Sequence, residues 1–176
     1  MNKPLLGFRK TKDRWVARLL TRFPFIFRRW AQRADILRFD QSPWTELSKA
    51  LNQCRIALIT TGGVHLKSQP PFDMLDPAGD PSFREIPAHI PAGELAITHN
   101  YYDHSDADKD VNIVFPVERV KDLKGSGDIG SVNDRHYSFM GHITGPHLKT
   151  LTAETAPRVA AELKKDAVDI VILTPA

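Results

Sequence analysis

Two short, uninterrupted apolar runs constrain the fold of this chain more than any other feature. Residues 55–61 read RIALITT and end at Gly62-Gly63, and residues 168–174 form a second run near the end of the sequence. Strands that are apolar at consecutive positions are buried on both faces, as in parallel sheets that helices cover. The runs therefore predict an α/β fold: a mostly parallel sheet with flanking helices, in a Rossmann-like arrangement.

Three helices are predicted around these strands. The first begins at Ser42-Pro43, which combines an N-cap residue with proline at the first helical position, and its apolar face includes Trp44. The second covers residues 116–124. The third covers residues 152–166, with Thr152 as its N-cap.

The segment between the helices is divided by proline. Residues 95–98 and 111–115 are short apolar runs that predict two further strands. Residues 69–91 are rich in proline and aspartate, which excludes a regular helix or a central strand. A loop of this length inside a compact domain is usually functional or mobile.

The charge distribution separates the start of the chain from the rest. Residues 1–38 carry eleven Lys or Arg against two Asp, whereas the remainder has six more acidic than basic residues. Residues 1–40 are therefore predicted to form a basic amphipathic helical arm, and residues 41–176 a single α/β domain. The arm has two interpretations: contact with a membrane, a nucleic acid or a protein partner, or packing of its aromatic side chains on the domain.

The cysteine content excludes a fold stabilised by internal disulfides. Cys54 is the single cysteine among 176 residues, and no paired Cys or His spacing typical of a zinc site occurs. No run reaches the roughly 20 apolar residues of a membrane-spanning helix, and arginines interrupt every candidate signal peptide. These features favour a cytoplasmic protein, with Cys54 as a small buried hydrophobe before the first strand.

Two motifs match known sites only in part. Residues 125–130 (GSGDIG) have the dinucleotide-binding pattern but follow a predicted helix instead of a strand, so they indicate a glycine turn. Residues 106–110 carry alternating aspartates as in a calcium loop, but Val111 and Val117 occupy the positions that need Gly and Glu. The sequence therefore predicts no cofactor-binding residues and no metal site.

Four polar side chains are the candidate site residues: His65, His99, Asp103 and His104. The first follows the RIALITT strand and its glycine pair, and the others follow the predicted strand 95–98. Ligands of open α/β sheets bind beyond the carboxyl ends of strands, where an imidazole can transfer a proton or stabilise a nucleophilic anion. The alternatives are a structural histidine at 65 and, at the other three, a loosely held metal or anion, or an ordinary hydrogen-bonded loop.

One further segment mixes imidazole and aromatic groups. Residues 136–142 read HYSFMGH, and Ser138 lacks the GxSxG context of a nucleophile elbow. The segment is interpreted either as a lining of the same cleft or as a packed turn.

Five strings, taken in order, resemble one known family. They are residues 57–65 (ALITTGGVH), 76–87 (DPAGDPSFREIP), 99–104 (HNYYDH), 110–119 (DVNIVFPVER) and 139–141 (FMG). Their order and spacing are similar to those of the selenoprotein B family of the glycine, betaine, sarcosine and D-proline reductases. The resemblance covers about residues 55–176 and leaves the basic arm unmatched.

The resemblance implies an oxidoreductase component that cleaves a C–N bond of a small-molecule substrate. In that family a selenocysteine, or a cysteine in some relatives, follows a hydrophobic strand and attacks the α-carbon, and His65 would be its partner here. Partner subunits supply a carbonyl group that holds the amine, and a thiol reductant is a further implied partner. Residues 173–176 (LTPA) correspond to the approach to the nucleophile.

The expected nucleophile itself does not occur in this sequence. We therefore expect a chain truncated at a misread UGA codon, so that residues 41–176 are the N-terminal part of a longer reductase-like domain without the redox residue. A function of another class stays open, namely a non-catalytic binding protein that uses the basic arm.

Overall fold

The structure, a computed structural model, describes residues 44–176 together with Phe23, Phe25 and Arg28. It divides into a larger unit, residues 49–99 and 104–176, and a smaller unit, residues 1–48 and 100–103. Apart from the three named residues, the predicted basic arm lies outside the described residues, and so does Ser42-Pro43. The elements below belong to the larger unit.

The helix predicted after Ser42-Pro43 is wrong over the described residues. Residues 44–50 are irregular, and only a 3₁₀ turn, Leu51–Gln53, follows them. Trp44 is 90% exposed and Leu51 is 50% exposed. A short amphipathic helix depends on packing of its apolar face, and these side chains lie largely in solvent instead.

The main sheet is mixed and has β1 (Arg55–Thr60) in its interior. β1 pairs in parallel with β7 (Ile170–Thr174) on one side, and with β5 (Ser131–Val132) and β6 (Arg135–Phe139) on the other. β3 (Phe83–Pro87) pairs antiparallel with β6 and ends the sheet. The α/β class is confirmed, whereas the Rossmann-like arrangement is not, because an antiparallel strand joins the sheet.

Two predictions for the intervening strands need correction. Residues 95–98 do contain a strand, β4 (Leu95–Ile97), but it pairs antiparallel with β2 (Val64–Leu66) in a separate small sheet. The strand predicted at 111–115 is wrong, since Val111–Ile113 is a 3₁₀ turn. The Asp110 carboxylate accepts a hydrogen bond from the backbone N–H of Asn112 at 3.0 Å, and such local bonds compete with strand pairing.

The helices follow the predicted order with one displaced start. α1 (Val117–Gly125) begins directly after Pro116, as predicted. The last helix begins at α2 (Pro146–Thr150), well before Thr152, and continues through a π-helical turn into α3 (Ala156–Lys165). Pro157, near the start of α3, has no backbone N–H to donate, so the hydrogen-bond pattern of the helix is interrupted where the π turn passes into α3.

One hydrophobic core lies between α3 and the sheet. It contains Ala57, Tyr137, Phe139, Val159 and Leu163. Burial of β1 on both faces is confirmed, because all but two of its residues are buried and those two are half-buried.

β7 differs from the prediction of a strand buried on both faces. Leu173, which pairs with Ile59 of β1, is 68% exposed, and Val171 is 36% exposed. β7 pairs only with β1 among the described strands, so it lies at the sheet margin, and these two side chains are exposed to solvent. Among the described residues, no helix combines the length and the apolar character needed to cross a bilayer.

Candidate active site at the carboxyl ends of the strands

Four segments meet beyond the carboxyl ends of β1, β6 and β7. The backbone N–H of Ala176 donates to the Thr61 hydroxyl at 3.1 Å, and the Thr61 N–H donates to the Thr174 carbonyl at 3.1 Å. A Cβ added to Gly141 would lie 3.1 Å from the Thr61 carbonyl oxygen, 3.3 Å from His99 Nε2 and 3.4 Å from the Ala176 carbonyl oxygen. These contacts define the strand-end site: Thr61, His99, Gly141 and Ala176.

Two threonine hydroxyls fix the ends of β1 and β7. Thr60 Oγ1 and Thr174 Oγ1 each donate to the carbonyl oxygen of Val114, both at 2.7 Å. Thr60 Oγ1 also accepts a hydrogen bond from the Gly62 N–H at 3.0 Å. The segment before α1 is thereby tied to both strands, so the direction in which the chain leaves β7 is fixed by side chains as well as by the sheet.

The glycine pair after β1 lets two loops approach closely. Gly63 has φ of 69°, and a Cβ there would lie 2.5 Å from the Thr98 carbonyl oxygen. Its N–H donates to Phe139 and its carbonyl accepts from the Thr98 N–H. Only glycine fits both the left-handed backbone and this contact.

His99 is a buried imidazole at the strand-end site, with 4% of its surface exposed. Its Nε2 lies 3.3 Å from the Gly141 nitrogen, and a backbone N–H can only donate, so Nε2 accepts and the neutral ring carries its proton on Nδ1. Burial, and to a smaller extent the nearby charges of His104 and His142, lower the pKa of His99 to about 4. At neutral pH His99 is therefore an uncharged, oriented ring.

His65 has a different environment from the one its sequence position suggests. It is buried in β2, its Nδ1 donates to the Leu66 carbonyl at 2.8 Å, and its Nε2 accepts from the Thr98 hydroxyl at 2.8 Å. Its ring also packs edge-to-face on Phe72. Both ring nitrogens already have partners in the neutral form, so proton transfer by His65 would first have to break one of these bonds; its partnership with a nucleophile stays a prediction.

The other two candidate residues are only partly placed. His104 Nδ1 pairs with Asp108 Oδ2 at 2.8 Å, and its charge acts on His99. Asp103 belongs to the smaller unit, so its position beside the histidines stays a prediction. Within the described part of the chain, no three His, Cys, Asp or Glu side chains are arranged to hold a metal ion, so the loosely held metal has no support.

The segment 136–142 divides between core and site. His136 is fully buried in β6, where its Nδ1 accepts the Leu58 N–H at 3.1 Å, and burial lowers its pKa to about 4. Gly141 instead reaches the strand-end site, and His142 Nε2 donates to the Pro77 carbonyl at 3.0 Å.

Cys54 is buried at the amino end of β1, as predicted.

Sequence reasoning missed Thr61 and Gly141 as parts of the strand-end site, and Thr60 and Thr174 as the hydroxyls that hold the strand ends. Thr60, Thr61 and Thr174 were included in apolar strand runs, and Gly141 was one letter in a mixed segment. The available signal was the position of small polar residues where strands end, which is the edge where ligands of such sheets bind.

The comparison with protein families decides the affiliation of the chain. The model of glycine/sarcosine/betaine reductase selenoprotein B matches residues 10–176. The chain belongs to this family. The strings quoted above lie inside the matched range, and the resemblance drawn from them is confirmed. The expectation that the basic arm is unmatched is wrong, because the match begins at residue 10.

Individual relatives come from several reductase complexes. The chain is 37% identical over 131 residues to the D-proline reductase subunit gamma of Acetoanaerobium sticklandii, covering 74% of this chain and 52% of the relative. It is 29% identical to the glycine reductase complex component B subunit gamma of Carboxydothermus hydrogenoformans, over 77% of this chain and 31% of the relative. It is 28% identical to the betaine reductase complex component B subunit beta of Peptoclostridium acidaminophilum, over 72% of this chain and 29% of the relative.

The chain therefore spans about half the length of the D-proline reductase subunit and about a third of the other two relatives. No solved structure matches it.

Proposed function

We propose that the chain is a component of a reductase complex that cleaves a C–N bond in a small amine substrate. The observation that carries the proposal is the strand-end site, where Thr61, His99, Gly141 and Ala176 converge beyond three parallel strands. In open α/β sheets this edge is where ligands bind. Membership of the selenoprotein B family supports the reaction class.

In the proposed reaction, a selenolate or thiolate that follows β7 attacks the α-carbon of the substrate. A carbon–selenium or carbon–sulfur bond forms as the C–N bond breaks, and the nitrogen leaves with the bonding electrons and takes up a proton. A dithiol then supplies the two electrons that release the carbon as a C–H product, and it becomes a disulfide. Partner subunits provide the carbonyl group that holds the amine.

The residues of this chain orient the reacting group in that scheme. Thr60 and Thr174 fix the direction of the chain after β7 through the Val114 carbonyl. Gly141 leaves no side chain where the Ala176 carbonyl approaches, and His99 adds an uncharged ring that does not pair with the anion as a cation would. A nucleophile at the start of a following helix would meet free backbone N–H groups that favour its anionic form.

The activity is tested on protein purified with its partners from cells that express the natural locus. We expect bound selenium or a reactive thiol, and dithiol-dependent conversion of D-proline or glycine to a product that gains two hydrogens, followed by mass spectrometry. Gly141→Ala should lower the rate roughly tenfold, because its Cβ would displace the reacting segment. Gly125→Ala, where nothing lies within 4 Å of the added Cβ, is the matched control. Absence of conversion by the complete complex would reject the proposed reaction.

A further inference from the structure

One side of the strand-end site is formed by residues 140–147, a segment that we call the strap. Met140 pairs with Gly62 in an isolated antiparallel bridge, and the Gly141 N–H donates to His99 Nε2 at 3.3 Å. The residues beyond these contacts belong to neither sheet and lead into α2. The position of Gly141 therefore depends on what holds the strap on that side as well.

The part of the strap that leads into α2 packs on a turn of the proline-rich loop, residues 76–79. The Thr144 N–H donates to the Ala78 carbonyl at 2.8 Å. A Cβ added to Gly79, which has φ of 92°, would overlap the carbonyl oxygen of His142. The backbones of the strap and of the turn are therefore in direct contact.

Two histidines of the strap extend this contact through their side chains. His142 Nε2 donates to the Pro77 carbonyl at 3.0 Å, and His147 Nε2 donates to Asp76 Oδ2 at 2.9 Å. The other carboxylate oxygen of Asp76 accepts the Ala78 N–H at 2.8 Å. The same carboxylate thus caps its own turn and binds the strap.

The bond between Asp76 and His147 has a charged acceptor. The His147 hydrogen bond, followed by that of the Ala78 N–H, lowers the pKa of Asp76, so this side chain is a carboxylate ion at neutral pH. Hydrogen bonds to an ionised group are stronger than those between neutral groups. The side chains of Asp76 and His147 are 41% and 26% exposed, so either can be replaced without leaving a cavity in the core.

We propose that Asp76 and His147 are positioning residues of the strand-end site: their hydrogen bond fixes the strap, and the strap fixes Gly141. Gly141 leaves no side chain where the Ala176 carbonyl approaches, so a displaced strap changes the space at the end of β7. For its effect on the reaction, the inference rests on the function proposed above, which places the reacting group after β7. A small displacement of such a group lowers a reaction rate strongly.

The test is hydrogen exchange of the full chain, followed by NMR at the Gly141 and Thr61 amides. His147→Ala removes the donor and should accelerate exchange of the Gly141 amide roughly fivefold, because the strap opens locally. The Thr61 amide, which donates to the Thr174 carbonyl, should exchange as in the parent chain. Equal acceleration of both amides would show only a loss of global stability and would overturn the positioning role.

His147→Gln provides the conservative rescue. The glutamine amide keeps an N–H donor at a similar distance from the backbone, so it should restore most of the protection of the Gly141 amide. Exchange as fast as in His147→Ala would contradict the proposal, because the hydrogen bond would then not be what holds the strap.

Asp76→Ser removes the same bond from the side of the acceptor. Serine can still cap the turn with its hydroxyl but is too short to reach His147, so Gly141 exchange should accelerate as in His147→Ala. Asp73→Ser is the matched control. Asp73 Oδ1 accepts the Leu75 N–H at 2.7 Å in the same type of turn, and no hydrogen bond or ion pair to a described residue of the strap is seen for its carboxylate. Equal acceleration by both serine variants would reject the proposal.

The effect on the reaction is measured on the complex purified with its partners. His147→Ala should lower kcat roughly threefold to tenfold and leave KM unchanged, since it displaces the reacting group without removing a substrate contact. An unchanged kcat in an active complex would overturn the positioning role in the reaction. If the parent complex converts no substrate, the proposed function fails, and the exchange of the Gly141 amide still decides whether Asp76 and His147 hold the strap. Circular dichroism checks that each variant is folded, and Asp76→Ser replaces His147→Ala if the latter does not fold.

Discussion

The amino ends of the main strands are held by charges, whereas their carboxyl ends are held by hydroxyls, backbone amides and an uncharged imidazole. At the amino ends, Arg135 binds Asp166 through two nitrogens at 2.7 and 2.8 Å and reaches Glu162 at 3.0 Å. The Lys49 ammonium pairs in the same region with Asp169, just before β7. The carboxyl ends have the Thr60–Val114–Thr174 contacts and neutral His99 instead.

This difference places the ion pairs of Arg135 and Lys49 at one edge of the sheet and the candidate site at the other. Ion pairs at the amino ends order the strands without occupying the edge where ligands bind. At the carboxyl ends of β1 and β7 the described contacts are instead hydrogen bonds between neutral groups. The predictions below test the two edges separately.

The largest effect is expected at the glycine pair of the carboxyl edge. Gly63→Ala should destabilise the chain by about 3 kcal/mol, because the added Cβ meets the Thr98 carbonyl and the backbone has positive φ. Urea unfolding followed by circular dichroism measures it. Gly125→Ala, in open space, should change the free energy of unfolding by less than about 1 kcal/mol. Equal effects of the two variants would contradict the close contact at Gly63.

His99 should make the carboxyl edge sensitive to mild acid. Its folded pKa of about 4 lies below the ordinary 6.5, so the folded state binds fewer protons than the unfolded state and stability falls as pH decreases from about 6.5 to about 4. The full loss of stability that is due to protonation of this ring is about 3 kcal/mol. Ring chemical shifts in NMR should titrate near pH 4; a midpoint near 6.5 would refute the buried neutral ring. His99→Gln should make the pH dependence of unfolding shallower.

Asp166 should make the amino edge sensitive only to strong acid. Arg135 and Asn133 hydrogen bonds lower the pKa of this carboxyl from 3.8 to about 2. The contribution of the Asp166 carboxylate to stability is present above about pH 4 and is lost as pH falls toward 2. Asp166→Asn should therefore lower the free energy of unfolding by about 2 kcal/mol at neutral pH. Asp134→Asn is the control, since Asp134 is 94% exposed and its pair with Arg55 should contribute little. An unchanged acid transition in Asp166→Asn would contradict this role.

The smallest effect is expected from the threonine hydroxyls. Thr174→Val should lower the free energy of unfolding by only about 1 kcal/mol, because the Val114 carbonyl still accepts the hydrogen bond from Thr60 when the Thr174 hydroxyl is removed. Thr174→Ser keeps the hydroxyl and should restore most of that loss. Hydrogen exchange of the Thr61 amide, which donates to the Thr174 carbonyl, should accelerate in Thr174→Val and not in Thr174→Ser. Equal exchange in both variants would indicate that the hydroxyl does not fix β7.

The sequence by itself determined the features that depend on local composition. The apolar run before Gly62-Gly63 predicted β1, Pro116 marked the start of α1, and five ordered strings indicated the family. Each of these signals is contained in a few adjacent residues. A local pattern of this kind can be recognised in the sequence without knowing how the rest of the chain folds.

The tertiary structure decided which residues meet and which are covered. Residues 168–174 look like β1 in sequence, but β7 lies at the sheet margin and exposes Leu173. His65 follows the glycine pair as a site residue would, but β2 belongs to a second sheet. Both ring nitrogens of His65 are hydrogen-bonded there. Burial and hydrogen bonding depend on contacts between residues far apart in the chain, and spacing within one segment does not encode them.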